Sequence, residues 1–281
     1  AGKTTTIRML TGLSTPTEGE ASVLGFDINS EITRAKRYVG VVPETSNLYD
    51  ELSCLDNLLF MGALYGVSRS ERKKRAKDLL KTFGLDKRKD DLFRTLSRGM
   101  KRALTITSSL IHQPRLLFLD EPTVGLDAIA ARSVRNLIRS FHQEGLTIFL
   151  TTHYLEEADL LCDRIAILVK GKIIKTDTPQ ALKNLTEKES VIEFEFAQKI
   201  SEFLQDISTI LHYAQVVPIN DRKIRIYGGL PSEIYSEIVT FAKNKGIEIR
   251  VIQSIRTTLE DAFIKITGLS PAIMATEKGK R

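Results

Sequence analysis

Hydrophobic and polar positions follow strand and helix periods along the first two thirds of the chain. The run Leu116–Leu119 is apolar throughout and is followed by two acids, which is typical of a short strand buried in a parallel sheet. The predicted helices are 3–13, 55–65, 70–83, 98–111, 129–143 and 154–161, and the predicted strands are 21–23, 38–42, 116–119, 147–151 and 164–169. This alternation predicts a parallel sheet with helices on its faces.

The pattern changes after about residue 188. Ile192, Phe194 and Phe196 alternate with Glu193 and Glu195, which predicts a strand with one buried and one solvent-exposed face. The elements expected from there are strand 191–196, helix 199–211, strands 214–219 and 222–227, helix 231–246, strand 247–251 and helix 257–267. The order βαββαβ indicates a ferredoxin-like, α+β domain. We predict domains at 1–188 and 189–270, and a disordered tail at 271–281.

Composition narrows the class of protein. The chain has 281 residues, 42% hydrophobic and 27% charged, and its two cysteines stand in no metal or redox spacing. No apolar run approaches the ~18 residues that cross a bilayer, and no signal peptide is visible. Since Ala1 is not Met, we expect the mature start to precede it. The net charge of +6 would suit a nucleic acid or anionic membrane partner. Residues 69–94 contain eleven basic and five acidic residues, and the preferred interpretation of this cluster is a solvated helical face.

A phosphate-binding loop is the first candidate for chemistry. Gly2-Lys3-Thr4 matches the end of G-x-x-x-x-G-K-[ST], in which backbone N–H groups and a helix N-terminus surround phosphates. Lys3 would reach the outer phosphates, and the Thr4 hydroxyl would ligate Mg²⁺. The tripeptide is weak evidence by itself, because average composition produces it by chance in roughly one such chain in seven.

The acids after Leu119 supply a second candidate. A parallel strand that ends in an acid puts Asp120 at the carboxyl edge of the sheet, where it can hold Mg²⁺ through water. Glu121 can then orient and deprotonate an attacking water. The alternative is that both acids are solvated and start a turn before Pro122.

The segment Leu96–Arg102 reads LSRGMKR, and here the chain resembles the ABC ATPase family, whose signature is Leu-Ser-Gly-Gly-Gln. Ser97 and Gly99 match, whereas Arg98 and Met100 depart. The Gly-Met-Lys form resembles the branch that powers small exporters. The resemblance implies that Ser97, Gly99 and Met100 contact ATP bound to a second subunit.

Further matches follow in the family's order. Val124–Asp127 resembles the D-loop, with Asp127 at the dimer interface. His153 resembles the switch histidine, which contacts the γ-phosphate and would act in catalysis with Glu121. Glu44 stands where the family usually has the Gln of its Q-loop. The nucleotide-binding residues implied by the first motif are Gly2, Lys3, Thr4 and Thr5.

Five ordered motifs carry the resemblance over about residues 1–185. They imply an α/β P-loop cassette, incomplete at its N-terminus inside the Walker A motif, with a mostly parallel sheet and a helical subdomain at about 50–112. The segment Leu259–Phe263 resembles accessory domains of the exporter branch. The implied cofactors are ATP and Mg²⁺. The implied partners are a second copy of the chain and a membrane permease, which would hold the ATPase at the cytoplasmic face of the cell membrane.

Three alternatives to a transporter ATPase remain. DNA-acting ABC proteins carry a long coiled coil before the signature, but only about 94 residues separate Lys3 from Ser97 here, so no nucleic acid partner is expected. Ribosome-acting members carry two cassettes. A regulatory subunit with inactive sites would not need Glu121 and His153. The transported substrate is not encoded in these motifs.

Overall fold

The computed structural model describes residues 2–187, 191–255 and 258–268, and for 186–187 only the backbone. The chain divides into two compact units, one formed by residues 2–152 and one that begins at His153. The domain boundary near residue 188 stays a prediction, because 188–190 lie outside the described residues. The predicted disordered tail, 271–281, lies outside them as well.

The first unit is built around a parallel sheet. Its elements are α1 (Lys3–Leu10), β1 (Ser22–Val23), β2 (Phe26–Asp27), α2 (Ile32–Ala35), β3 (Val39–Val42), α3 (Cys54–Leu64), α4 (Arg69–Thr82), α5 (Arg98–Leu110), β4 (Leu116–Asp120), α6 (Ala128–Gln143) and β5 (Thr147–Thr151). Strand β4 lies between β3 and β5 and pairs with both in parallel. Every residue of β4 is buried, which confirms the prediction of a buried parallel strand.

Helix α1 packs on the central strand of this sheet. Ile7 is the buried residue of the helix, and it joins a core cluster with Leu116 and Phe118 of β4 and with Val39 of β3. These contacts fix the position of α1 on the sheet beside β4. This packing positions the candidate phosphate loop.

Helices α3, α4 and α5 pack against one another in the same unit. Each begins at a serine whose side chain accepts a hydrogen bond from the third helical N–H: Ser53, Ser68 and Ser97. Helix α5 also lies against β3, and the close approach occurs at Gly40. A Cβ atom there would lie 2.6 Å from the Ser109 carbonyl oxygen, so glycine is required at this contact.

The second unit contains a hairpin that the sequence did not predict. Its elements are α7 (Leu155–Leu161), β6 (Ile165–Val169), β7 (Lys172–Asp177), α8 (Pro179–Glu187), β8 (Val191–Phe196), α9 (Leu204–Ile210), β9 (Gln215–Asn220), β10 (Lys223–Tyr227), α10 (Pro231–Lys245), β11 (Ile249–Ser254) and α11 (Leu259–Thr267). We expected β6 to pair in parallel, but its neighbour is β7, and the pairing is antiparallel. The turn Lys170-Gly171 has φ of 47° and 80°, as a type I′ hairpin requires.

The four last strands form the expected ferredoxin-like sheet. Their order is β11-β8-β10-β9, and all neighbours are antiparallel. Ile192, Phe194 and Phe196 are fully buried, and they pack with residues of α9 and α10 such as Ile207 and Ile238. One face of the sheet is therefore covered by these two helices.

On the opposite face of this sheet Glu193 is buried as well, which corrects the prediction of solvent exposure for that residue, whereas Glu195 stays 37% exposed. Glu193 is only 4% exposed and accepts hydrogen bonds from Arg225 at 2.8 Å, Lys223 at 3.0 Å and Gln253 at 2.9 Å. Burial acts to raise the pKa of Glu193, but these hydrogen bonds hold it below its ordinary value. Alternation predicted a polar face correctly, but it could not show that the polar residues bond to one another.

Helix α11 is the element that lies on this face. Ile264 packs with Val191 and Tyr227 of the sheet. The other side of the helix packs through Leu259 and Ala262 on a cluster formed by α7, β6 and α8. None of the helices in the described part of the chain has both the length and the apolar composition needed to cross a bilayer.

Candidate nucleotide-binding site

The amino end of α1 has the geometry of an anion site. Gly2 precedes the helix with φ of 102° and ψ of 0°, a conformation that strongly favours glycine. The first turn contains no acidic residue, and Thr4 and Thr5 are exposed there. The first N–H groups of a helix have no carbonyl partner within it, so together with the helix dipole they favour a phosphate.

Lys3 joins this helix to the carboxyl edge of the sheet. Its Nζ lies 2.9 Å from Glu121 Oε1 and donates to the Thr152 carbonyl oxygen at 2.9 Å. Glu121 is 1% exposed, whereas the Lys3 side chain is 24% exposed. Two residues that the sequence singled out separately, 118 positions apart, are therefore in direct contact.

Asp120 ends β4 and is also buried. Its Oδ1 accepts a hydrogen bond from the Thr151 hydroxyl at 2.5 Å, which orients the carboxylate. A carboxylate and the Thr4 hydroxyl are hard oxygen ligands of the kind that Mg²⁺ takes, and Mg²⁺ typically uses one or two carboxylates with water and phosphate oxygens. The chemistry of these donors fits a magnesium site.

Glu121 has an uncommon backbone conformation. Its φ is 48°, in the left-handed region that non-glycine residues rarely adopt. Its N–H donates to the Thr151 carbonyl oxygen at 3.0 Å, so the peptide is tied to the end of β5. Strained residues of this kind concentrate at functional sites, where the surrounding structure holds them.

The signature and D-loop residues meet at the starts of two helices. Ser97 Oγ accepts from the Met100 N–H at 3.3 Å at the start of α5. Asp127 Oδ1 accepts from the Ala130 N–H at 2.8 Å at the start of α6. A Cβ atom on Gly99 would lie 2.8 Å from Ala130 Cβ, so this glycine lets the two helix starts approach each other.

Two further predicted residues are Glu44, after β3, and His153, at the start of the second unit. The Glu44 side chain is exposed, and its carbonyl oxygen accepts from Arg102 at 3.3 Å. His153 directly follows Thr152 but begins the second unit, where its ring lies 4.1 Å from that of Tyr154. Their functional roles stay predictions.

Arg102 is a site residue that the sequence analysis missed. It is 5% exposed, and its guanidinium donates to backbone carbonyls around Glu44 and Glu121. The only signal in the sequence is a cation on the otherwise uncharged, buried face of α5, among Leu104, Thr105 and Ile106. That signal does not say which loops the guanidinium reaches.

Comparison with known proteins agrees with this geometry. Residues 1–124 match the family model described as ABC transporter. The linearmycin resistance ATP-binding protein LnrL of Bacillus subtilis is 34% identical over 269 residues, which are 95% of this chain and 86% of the relative. The Nod factor export ATP-binding protein I of Mesorhizobium japonicum is 34% identical over 268 residues, 95% of this chain and 76% of that protein.

A solved structure is similar as well. It is a dimeric, post-hydrolysis state of an ATP-binding cassette bound to ADP and Pi, with a TM-score of 0.56 and 27% identity over 63% of this chain and 80% of that one. One conclusion follows from the motif order, from the contact between Lys3 and Glu121, and from relatives that match along nearly the whole chain. The chain belongs to the ABC transporter family, as one of its ATP-binding proteins.

Proposed function

We propose that this ABC ATPase hydrolyses ATP with Lys3, Thr4, Asp120 and Glu121, and that hydrolysis drives export through a partner permease. The contact of Lys3 Nζ with Glu121 Oε1 at 2.9 Å carries the assignment of the residues. It joins a phosphate-binding lysine to the acid that follows the central strand. General base catalysis at a phosphate needs the base close to the bound phosphate, and this contact places Glu121 there.

The ion pair suggests how binding prepares the base. A triphosphate at the amino end of α1 competes with Glu121 for the Lys3 ammonium, because phosphate oxygens are strong acceptors of charge-assisted hydrogen bonds. When Lys3 turns to phosphate, the Glu121 carboxylate becomes available to accept a proton from the attacking water. The left-handed backbone at Glu121 fixes where that carboxylate points.

Thr4 and Asp120 would hold Mg²⁺. When bound, Mg²⁺ neutralises charge on the phosphate oxygens. The hydrogen bond from Thr151 to Asp120 Oδ1 fixes one oxygen of the carboxylate. Gly2 and Thr5 flank these residues at the helix start and contribute backbone N–H groups to the phosphates.

A second copy of the chain would complete each site. The helix start at Ser97, Gly99 and Met100, where Ser97 is exposed, would face the ATP of the partner, with Asp127 in the same interface. The similarity to a cassette that is dimeric in its structure supports this arrangement. Such an interface would be isologous, with the same surface used by both copies. His153 would contact the γ-phosphate from its position after Thr152.

Export and a membrane location rest on the relatives and on one surface. The relatives are named for linearmycin resistance and for Nod factor export. Around α3, Tyr49, Phe60 and Leu64 are exposed, and the rings of Tyr49 and Phe60 meet edge-on at 5.1 Å. An exposed apolar patch of this kind suits a helix of a permease. Bound there, the ATPase would be peripheral, at the cytoplasmic face of the membrane.

Glu121→Gln in the full-length protein tests the catalytic assignment. The amide keeps the size of the side chain but cannot accept the proton, so turnover should fall at least about 100-fold while ATP still binds. The measurement is steady-state ATPase rate beside calorimetric ATP affinity. We expect ATP to trap a dimer of the variant, visible by gel filtration.

Glu144→Gln is the matched control. Glu144 is an exposed acid before β5, at the opposite edge of the sheet from Glu121. Its replacement should leave turnover within about twofold of wild type, as for surface changes away from a site. Turnover of Glu121→Gln close to that of Glu144→Gln would remove Glu121 from the role of base.

A further inference from the structure

Arg102 carries a buried charge at the centre of the first unit. It lies on α5, five positions after Ser97, and is 5% exposed. A guanidinium has five N–H donors in a rigid planar fork, and burying it is costly unless those donors are bonded. The position therefore requires acceptors arranged around the plane of the group.

Five backbone carbonyl oxygens supply these acceptors. Arg102 Nε donates to Pro122 at 2.8 Å, one terminal nitrogen donates to Asp120 at 2.9 Å and Glu121 at 3.2 Å, and the other donates to Pro43 at 2.5 Å and Glu44 at 3.3 Å. These five oxygens lie on two segments of the chain. One loop follows β3 and carries Glu44, and the other follows β4 and carries Glu121.

The second loop is the one that needs support. Glu121 has φ of 48°, and such a conformation persists only where the surroundings over-determine it. Thr151 holds the N–H side of this residue, at 3.0 Å. Arg102 holds the carbonyl side and the carbonyls before and after it. The guanidinium thus fixes the backbone turn that sets the direction of the Glu121 carboxylate.

We propose that Arg102 is a positioning residue for ATP hydrolysis, one that fixes the backbones of Glu121 and Glu44 relative to the helix that begins at Ser97. The inference rests on the proposed role of Glu121 as the base. Arg102 does not touch ATP in this scheme. Arg102 couples the position of α5 to that of Glu121 in the same subunit. The exposed start of α5 would meet the ATP of the second copy.

Arg102→Lys in the full-length protein separates positioning from binding. Lysine keeps the charge but has three donors on a single nitrogen, so it cannot span both loops. We expect kcat to fall about 10- to 100-fold, because small misplacements of catalytic groups cost this much, with affinity for a non-hydrolysable ATP analogue within about threefold of wild type.

Arg75→Lys is the matched control. Arg75 on α4 also donates to a backbone carbonyl, that of Ile111 at 3.3 Å, in the same unit but away from both loops. Its replacement should leave kcat within about twofold of wild type. Two results would show a merely structural role and overturn the proposal. One is a loss in kcat shared by Arg75→Lys and Arg102→Lys. The other is a parallel loss of kcat and ATP affinity in Arg102→Lys.

The remaining outcomes are also decisive. Unchanged kcat in Arg102→Lys overturns the proposal while leaving the assignment of Glu121 intact, provided that Glu121→Gln is inactive. An inactive wild type refutes the proposed function and this inference together. If Arg102→Lys does not fold by circular dichroism, Arg102→Gln, which donates without burying a lone ammonium, takes its place. Failure of both to fold assigns Arg102 to folding and refutes positioning.

Discussion

Asp261 anchors α11 to the sheet formed by β8, β9, β10 and β11. Its replacement by asparagine should lower the local stability of that helix. The carboxylate is fully buried. Oδ1 accepts from Arg225 at 2.9 Å and from the Tyr227 hydroxyl at 3.0 Å, and Oδ2 accepts from the Thr258 N–H and hydroxyl, each at 2.7 Å. In Asp261→Asn one of these oxygens becomes an NH₂ group that faces a donor.

The size of the effect follows from these contacts. Removing one partner of a buried ion pair costs about 3–5 kcal/mol, and a hydrogen bond to a charged group contributes about 1.5–3 kcal/mol. Arg225 keeps its contact with Glu193 at 2.8 Å, so it is not left alone. We therefore expect a loss smaller than that of a broken buried ion pair, about 2–3 kcal/mol, from the local stability of α11.

Hydrogen exchange measured by mass spectrometry on the segment 258–268 reads this local free energy directly. A loss of about 2–3 kcal/mol corresponds to exchange about 30- to 150-fold faster in α11. Glu260→Gln is the control, since Glu260 is 42% exposed and lies 4.0 Å from Arg225, where an ion pair contributes at most about 1 kcal/mol. Exchange in Asp261→Asn within threefold of Glu260→Gln would refute the argument.

Three further predictions address other parts of the chain. Glu44→Gln should leave the Mg²⁺ midpoint of basal ATPase activity nearly unchanged, because Thr4 and Asp120 would supply the metal site; a shift of about tenfold or more would make Glu44 a ligand. The folded-state pKa of Glu193 lies below the ordinary pKa of 4.5, so this carboxylate stabilises the fold above pH 4.5, and the stabilisation is lost as the pH falls through the folded-state pKa. Melting curves from pH 7 to 3 should show this loss, and Glu193→Gln should flatten the pH dependence. Gly40→Ala should lower the free energy of unfolding by about 1–3 kcal/mol, measured by urea denaturation, since the new methyl group meets the Ser109 carbonyl oxygen.

Local signals predicted the elements and the fold class well. The apolar run of β4 and the alternation of β8 both correspond to observed strands. These features depend on neighbouring residues, which a sequence displays directly. The hairpin of β6 and β7 was missed because it depends on a turn with two positive φ values at Lys170-Gly171.

Contacts between distant residues could not be read from the chain. The burial of Val191 on β8 depends on Ile264 of α11, which lies more than seventy positions later. The five carbonyls around Arg102 lie 18 to 59 positions away from it. A polar residue in a pattern of apolar ones shows that a partner must exist, but only the packed structure says which one.

This chain departs from the family pattern at Glu44, Arg98 and Met100. The hydrogen bonds that the structure shows at Glu44 and Met100 are made by backbone groups and not by side chains. Arg98 and Glu44 are exposed. At Met100 the N–H bonds to Ser97, and at Glu44 the carbonyl bonds to Arg102. A side chain can change at such a position without altering the backbone hydrogen bond. Gly99 cannot change in this way, because its missing side chain makes room for Ala130. Gly99 thus matches the family signature at a position where the lack of a side chain determines the local packing.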